Sequence, residues 1–175
     1  NGTTYTQSGT YSSSFSSSSN NMSSLDFSLN DAVQINPVFS GVQNNFSIGA
    51  WVHPESFSSN GWGAIFISRS NDHYLNIENS SYSSSNQTVQ VRFGLNISGS
   101  QQIFGNLNVN QWNYVVGTYD GVTQKLFVNG VLVDSQSSNV GNANWNETCW
   151  TSFGGDGMPA SGCSGGYTSM EGKLD

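Results

Sequence analysis

Between Gln111 and Gln136, hydrophobic and polar positions alternate with a period of two, and two turn dipeptides interrupt the alternation. Trp112, Tyr114, Val116 and Thr118 fall on one face of a strand, and Asn113, Val115, Gly117 and Tyr119 on the other. Asp120-Gly121 and Asn129-Gly130 stand where tight turns need positive φ, which Gly tolerates freely and Asn or Asp tolerate better than most. Lys125 to Val128 and Val131 to Val133 then read as the arms of a hairpin. Ala64 to Ile67, His73 to Ile77 and Thr88 to Ile97 supply further strands. No stretch carries helical periodicity with capping signals, so the pattern predicts an all-β chain.

The order W-x-x-V-x-x-T-Y-D-G followed by K-L-F-V-N-G-V-L-V resembles the laminin G-like branch of the concanavalin A-like lectin/glucanase superfamily. LDFSLNDAVQI (Leu25 to Ile35) resembles that family's opening strand, and NFSIGAWVHP (Asn45 to Pro54) its central F-x-I-x-A-W-V-x-P strand. FGG (Phe153 to Gly155) and EGKLD (Glu171 to Asp175) are similar to the late and closing strands. The resemblance implies a two-sheet antiparallel β-sandwich of jelly-roll type over residues 25–175. Residues 1–24 are a Ser-rich, low-complexity segment, either a linker or, as in many relatives, home to a first strand within Thr3 to Phe15. The family's closing strand runs on past the I-D step. The chain is therefore expected to be a piece of a longer polypeptide, or to have its sheet completed by a neighbour. The superfamily includes lectins, pentraxin-like proteins, laminin G modules, sialidase-associated domains and glucanases, so only a site can name the activity.

At 175 residues the chain is one domain, long enough to bury roughly 70% of the surface its unfolded form exposes. Ten Phe, seven Tyr and five Trp carry much of an apolar share of only 35%, a balance suited to a sandwich with Ser, Thr, Asn and Gln outside. Only Arg69, Arg92, Lys125 and Lys173 are basic, against a net charge of −7. Four scattered cations cannot neutralise a phosphate backbone, which excludes nucleic acid, and an anionic membrane surface falls to the same count. No apolar run reaches membrane-spanning length.

Two features point to an extracellular, cell-surface or virion-surface setting. Asn-x-Ser/Thr sequons occur at Asn1, Asn21, Asn45, Asn79, Asn86, Asn96 and Asn146. Asn79 and Asn86 flank ENSSYSSSNQT, read as a loop, and are the best acceptors. Asn96 alternates with Val89, Val91, Phe93, Leu95 and Ile97, so it points away from the core together with Gln90 and Arg92. Cys149 and Cys163 bracket a Gly-rich loop, and a disulfide there would stabilise the fold by about 3 kcal/mol. Two Cys without a nearby His do not make a zinc site.

Catalysis requires a specific arrangement that is missing here. A retaining glycosidase needs two carboxylates about 5 Å apart, supplied in the glucanase branch by an E-x-D-x-x-E strand. Glu55, Glu78, Glu147 and Glu171 each stand alone, and His53 and His73 lack a nucleophile-elbow context. The chain is expected not to be an enzyme and to require no cofactor. Calcium could be held by turn carboxylates, as in some laminin G and pentraxin-like domains. Asp72 and Asp156 are the places to look for it, although Asp31, Asp72, Asp120 and Asp156 in turns more commonly serve local backbone hydrogen bonds.

Flat aromatics on an outer face could instead stack on sugar rings. Phe46, Ile48, Ala50 and Val52 share one side of their strand, and Trp51 and His53 share the other, a side often concave in this superfamily. Loops crossing that side are expected to bury Trp51. Trp62, Tyr82, Trp145 and Trp150 are expected to be more exposed, and Trp112 to be core. The composite expectation is a non-catalytic extracellular recognition or adhesion module binding glycan or a protein surface. Its rival is a glycosylated structural subunit or decoration domain of a filament, pilus or virion, with neighbouring copies as partners.

Overall fold

The computed structural model describes residues 24–28, 31–35, 41–57, 62–137, 140–146, 148–155 and 170–175. The described strands are β1 Leu25–Phe27, β2 Val33–Ile35, β3 Val42–Gln43, β4 Phe46–Ser56, β5 Trp62–Ser68, β6 His73–Ser83 and β7 Thr88–Asn96. They continue as β8 Ser100–Asn108, β9 Asn113–Tyr119, β10 Gln124–Val128, β11 Val131–Gln136, β12 Ala143–Asn144, β13 Thr151–Phe153 and β14 Glu171–Leu174. Among the described residues no helix is long and apolar enough to cross a membrane. The expectations for Thr3 to Phe15, Asn1, Asn21, Asp156 and Cys163 lie outside the described residues.

β3 and β12 pair as a separate two-stranded sheet, and the other twelve described strands build two antiparallel six-stranded sheets, one in the order β1-β14-β4-β9-β10-β11 and the other β2-β13-β5-β6-β7-β8. Their facing sides share a core of Val52, Val115, Leu126 and Val128 against Leu75, Ile77, Val91, Phe93, Leu95, Ile103 and Leu107. This is the expected jelly-roll sandwich. The sheets approach so closely that Phe93 lies on Gly117, where an added Cβ would sit 2.7 Å from the ring. Asn129 (φ 51°) and Gly130 (φ 81°) form the expected two-residue hairpin turn with both φ positive. Asp120-Gly121 differs. Only Gly121 is left-handed (φ 89°), and the Asp120 carboxylate accepts the N–H groups of Val122 (3.1 Å) and Thr123 (2.7 Å).

Two elements depart from the pattern. β8 was not legible in the alternation, because Gly105 replaces an apolar side chain between Ile103 and Leu107. β6 runs on through the Ser-rich stretch read as a loop. There Ser81 Oγ donates to Glu78 O (2.6 Å) and accepts from Gln90 N–H (2.7 Å), carrying the ladder across a bulge between Glu78 and Ser83. Asn79 is consequently a strand residue and only 4% exposed, which removes it as a leading glycosylation site. Asn45, Asn86, Asn96 and Asn146 are exposed.

Candidate functional site

The outer side of the first sheet is where the chain leaves chemistry uncovered. Strand parity sends Val52 into the core and Trp51, His53 and Glu55 outward, and β9 pairs Trp51 directly with Tyr114. Trp51 is 47% exposed and Tyr114 40%, so the expected covering loops do not bury Trp51. Their rings lie 5.1 Å apart, tilted by 37°. β14 closes the other flank of β4, placing Lys173 opposite His53, and Asp175 exchanges two backbone hydrogen bonds with Trp51 (2.8 and 3.0 Å). β1 sets Asp26 beside Lys173.

Several groups fix this face in place. Buried Asn113 accepts the N–H of Asn108 (3.1 Å) and donates to the carbonyls of Asn108 (2.9 Å) and Gln111 (2.8 Å). That clamp closes the turn before Trp112, and Asn110 N–H ties the same turn to Pro54 O (2.8 Å). Trp112 is therefore not core: half-buried, it stands 5.3 Å from the His53 ring on the outer side. Asn129 accepts the Tyr114 N–H through its side chain and donates its own N–H to Tyr114 O, both at 2.8 Å. Gly172 adopts φ 146° at a bulge in β14, and a Cβ there would collide with His53 O at 2.2 Å. Between these elements lies a pocket of about 270 Å³ lined by Ser24, Trp51, Trp112 and Asp175.

One ion pair crosses this face. Glu55 binds the Lys173 ammonium, and His53 Nδ1 approaches Glu55 Oε1 at 3.0 Å without hydrogen-bond alignment. The Lys173 hydrogen bond holds the Glu55 carboxyl below its ordinary value, and the same bond raises Lys173. Both groups are charged at neutral pH.

On the outer side of the second sheet the cation is covered. Trp62 lies over the Arg92 guanidinium, 3.2 Å from ring centroid to Cζ, and Arg92 is only 3% exposed. Arg92 donates to Asn76 Oδ1 (3.4 Å) and Gln102 Oε1 (3.2 Å), and Tyr74 donates to the same Gln102 oxygen (3.0 Å). Burial pushes the Tyr74 hydroxyl up, with Arg92 pulling the other way. Arg92 thus leaves the core as expected but does not reach solvent.

Trp145 and Trp150, expected to be exposed, are buried at 3% and 2%. Trp145 packs edge-on against Phe46 (4.9 Å) and 4.7 Å from His73, plugging one end of the sandwich. His73 is structural: Nδ1 accepts from Asn96 N–H (3.3 Å), leaving Nε2–H to donate to Asn144 O (3.0 Å). Tyr82 is 37% exposed and stacks on Phe57 at 4.7 Å, away from the pocket.

Asp31 and Asp120 serve backbone N–H groups, as turn carboxylates do. Asp72 is left-handed (φ 54°) in its turn, and among the described residues no three His, Cys, Asp or Glu are gathered to hold a metal. Cys149 is half-buried, its N–H on Ser70 Oγ (2.9 Å).

Comparison with solved structures returns the same architecture. The mouse laminin alpha1 chain, domains LG4-5, matches with TM-score 0.56 and 13% identity over 83% of this chain and 38% of its own. A Bacteroides ovatus protein proposed to bind carbohydrate matches with TM-score 0.59 and 16% identity over 87% of this chain and 41% of its own. This chain therefore spans about two fifths of the length of either. Domain 4 of AbnA, an extracellular arabinanase from Geobacillus stearothermophilus in complex with arabinotriose, matches with TM-score 0.50 and 17% identity, over 82% of this chain and 68% of its own. A search of curated proteins returned no match. Residues 26–175 fit the family model described as the concanavalin A-like lectin/glucanases superfamily, and the chain belongs to that superfamily.

Proposed function

We propose that this domain is a non-catalytic extracellular recognition module that holds saccharide on the outer side of its first sheet. The observation that carries the reading is the exposed Trp51–Tyr114 ring pair beside the pocket that Trp51 and Trp112 line. Sugar rings present apolar C–H faces that such rings cover, while their hydroxyls need polar partners at the rim. Ser24 and Asp175, which line the pocket, provide those partners. The lectins of the superfamily and the saccharide-bound arabinanase domain lend support. Against catalysis stands Glu55: a general acid needs a raised carboxyl pKa, and Lys173 lowers this one. No cofactor enters the reading.

A glycan array probed with the wild type and with Trp51→Ala tests it. Binding to some saccharide class that disappears in the variant is expected, whereas equal binding by both proteins rejects this face. Exposed Val131, Leu132 and Val133 at the sheet edge favour a second reading, contact with a neighbouring protein. Sedimentation at rising concentration separates the two, since the saccharide reading predicts a monomer.

A further inference from the structure

We infer that the outer face of the first sheet takes uncharged oligosaccharides and rejects carboxylated or sulfated ones. This rests on the reading of that face as a saccharide site and adds the class of ligand.

The inference follows from where the four basic residues stand. Lys173 is on the face but engaged by Glu55. Arg92 lies on the outer side of the other sheet, beneath Trp62. Arg69 belongs to the turn after β5, on that second sheet, where its N–H bonds Trp150 O (3.2 Å). Lys125 shares the outer side of the first sheet but pairs with Thr118, four residues along β9 from Tyr114. At strand rise that is roughly 13 Å, beyond a screening length of about 8 Å at physiological salt.

The acids are nearer. Asp175 lines the pocket, Asp26 stands in the row of Lys173 and His53, and Glu55 adjoins both. Around the pocket the face therefore sets three carboxylates against the one ammonium of Lys173, within a chain of net charge −7. A sugar carboxylate or sulfate would be desolvated here without a cation to receive it, at a net repulsive surface. Neutral hydroxyls suit the same groups, because a carboxylate accepts hydrogen bonds and a hydroxyl donates them. The tilted rings of Trp51 and Tyr114 offer two adjacent stacking surfaces, enough for linked sugar units.

The test titrates the full chain with arabinohexaose, xylohexaose and cellohexaose, and with hexagalacturonate, α2,3-sialyllactose and a heparin hexasaccharide, at low and high salt. A neutral saccharide is expected to bind at least about tenfold tighter than any acidic one, with little salt dependence and with the gap widening as salt falls. Asp26→Asn combined with Asp175→Asn, both on the surface, is expected to narrow that gap several-fold. Acidic binding that equals or exceeds neutral binding and strengthens at low salt overturns the inference. If that binding is still lost in Trp51→Ala, the face stands and only the ligand class falls. Absence of binding by either class rejects both the class and the saccharide reading.

Discussion

Two tryptophans on the same sandwich make opposite predictions. Trp145, packed among Phe46, Phe66 and His73 at one end of the core, should cost about 3–5 kcal/mol on change to Ala, measured by urea denaturation. Trp51→Ala should stay within about 0.5 kcal/mol of the wild type, because little but ring stacking is lost. Strand parity assigns Trp51 to its side of the sheet but does not say whether anything lies over it. Trp145 misled for a related reason: it follows a two-residue strand, too short for alternation to reveal that it turns inward. Glu55 adds a pH dependence. Its folded pKa lies below the ordinary 4.5, so the unfolded chain takes up the proton first. The contribution is complete above pH 4.5 and lost as pH falls through the lower folded value. Since Glu55 is 34% exposed, solvent screens the effect, and it should be small. Acid titrations of stability should show a shallower loss below pH 4.5 for Glu55→Gln than for the wild type, and identical slopes would contradict the assigned pairing.

At the scale of elements, most of the sandwich was legible because buried faces impose a period of two. β4, β7, β9 and β10 show it, and their registers agree with it, whereas Val131, Leu132 and Val133 of β11 are all exposed and its register with β10 shifts at a bulge. β8 was hidden by a packing requirement from outside the strand. Gly105 faces the other sheet, where an added Cβ would lie 2.8 Å from Val133 and 3.3 Å from Leu126 and Val128. Gly105→Val should therefore destabilise by about 1–3 kcal/mol through overpacking, read from denaturation midpoints, and a neutral outcome would refute that contact. The edges show a related logic. Asp134 on β11 accepts the Phe104 N–H of β8 (2.9 Å), and where the β10–β11 register shifts between Leu126 and Phe127, Val133 is the extra residue of a bulge in edge strand β11. Both devices discourage strand addition at that side. No local sequence signal marks Asp134 as a cross-sheet cap, because its partner lies 30 residues away.

For the molecule as a whole, setting and site have to be compatible. Secretion from a eukaryotic host should give sugar at Asn86 and Asn96, which are exposed, and none at Asn79, which is buried. Peptide mapping of the non-reduced protein should recover Cys149 linked to Cys163, with reduction lowering stability by about 3 kcal/mol. Sugar at Asn79, or two free thiols, would count against the fold around β6 and against the oxidising compartment respectively. The aromatic composition suited a sandwich with Ser, Thr, Asn and Gln outside, yet which rings share an outer face depends on the pairing of β4 with β9 and β14, a long-range fact. Everything functional rests on that shared face. Hydroxyl-radical footprinting with and without a saccharide selected on the array tests it most directly. Bound saccharide should protect Trp51, Tyr114 and Trp112 while leaving Tyr82 and Phe57 as reactive as before. Protection at Tyr82 and Phe57 with Trp51 unchanged would contradict the account.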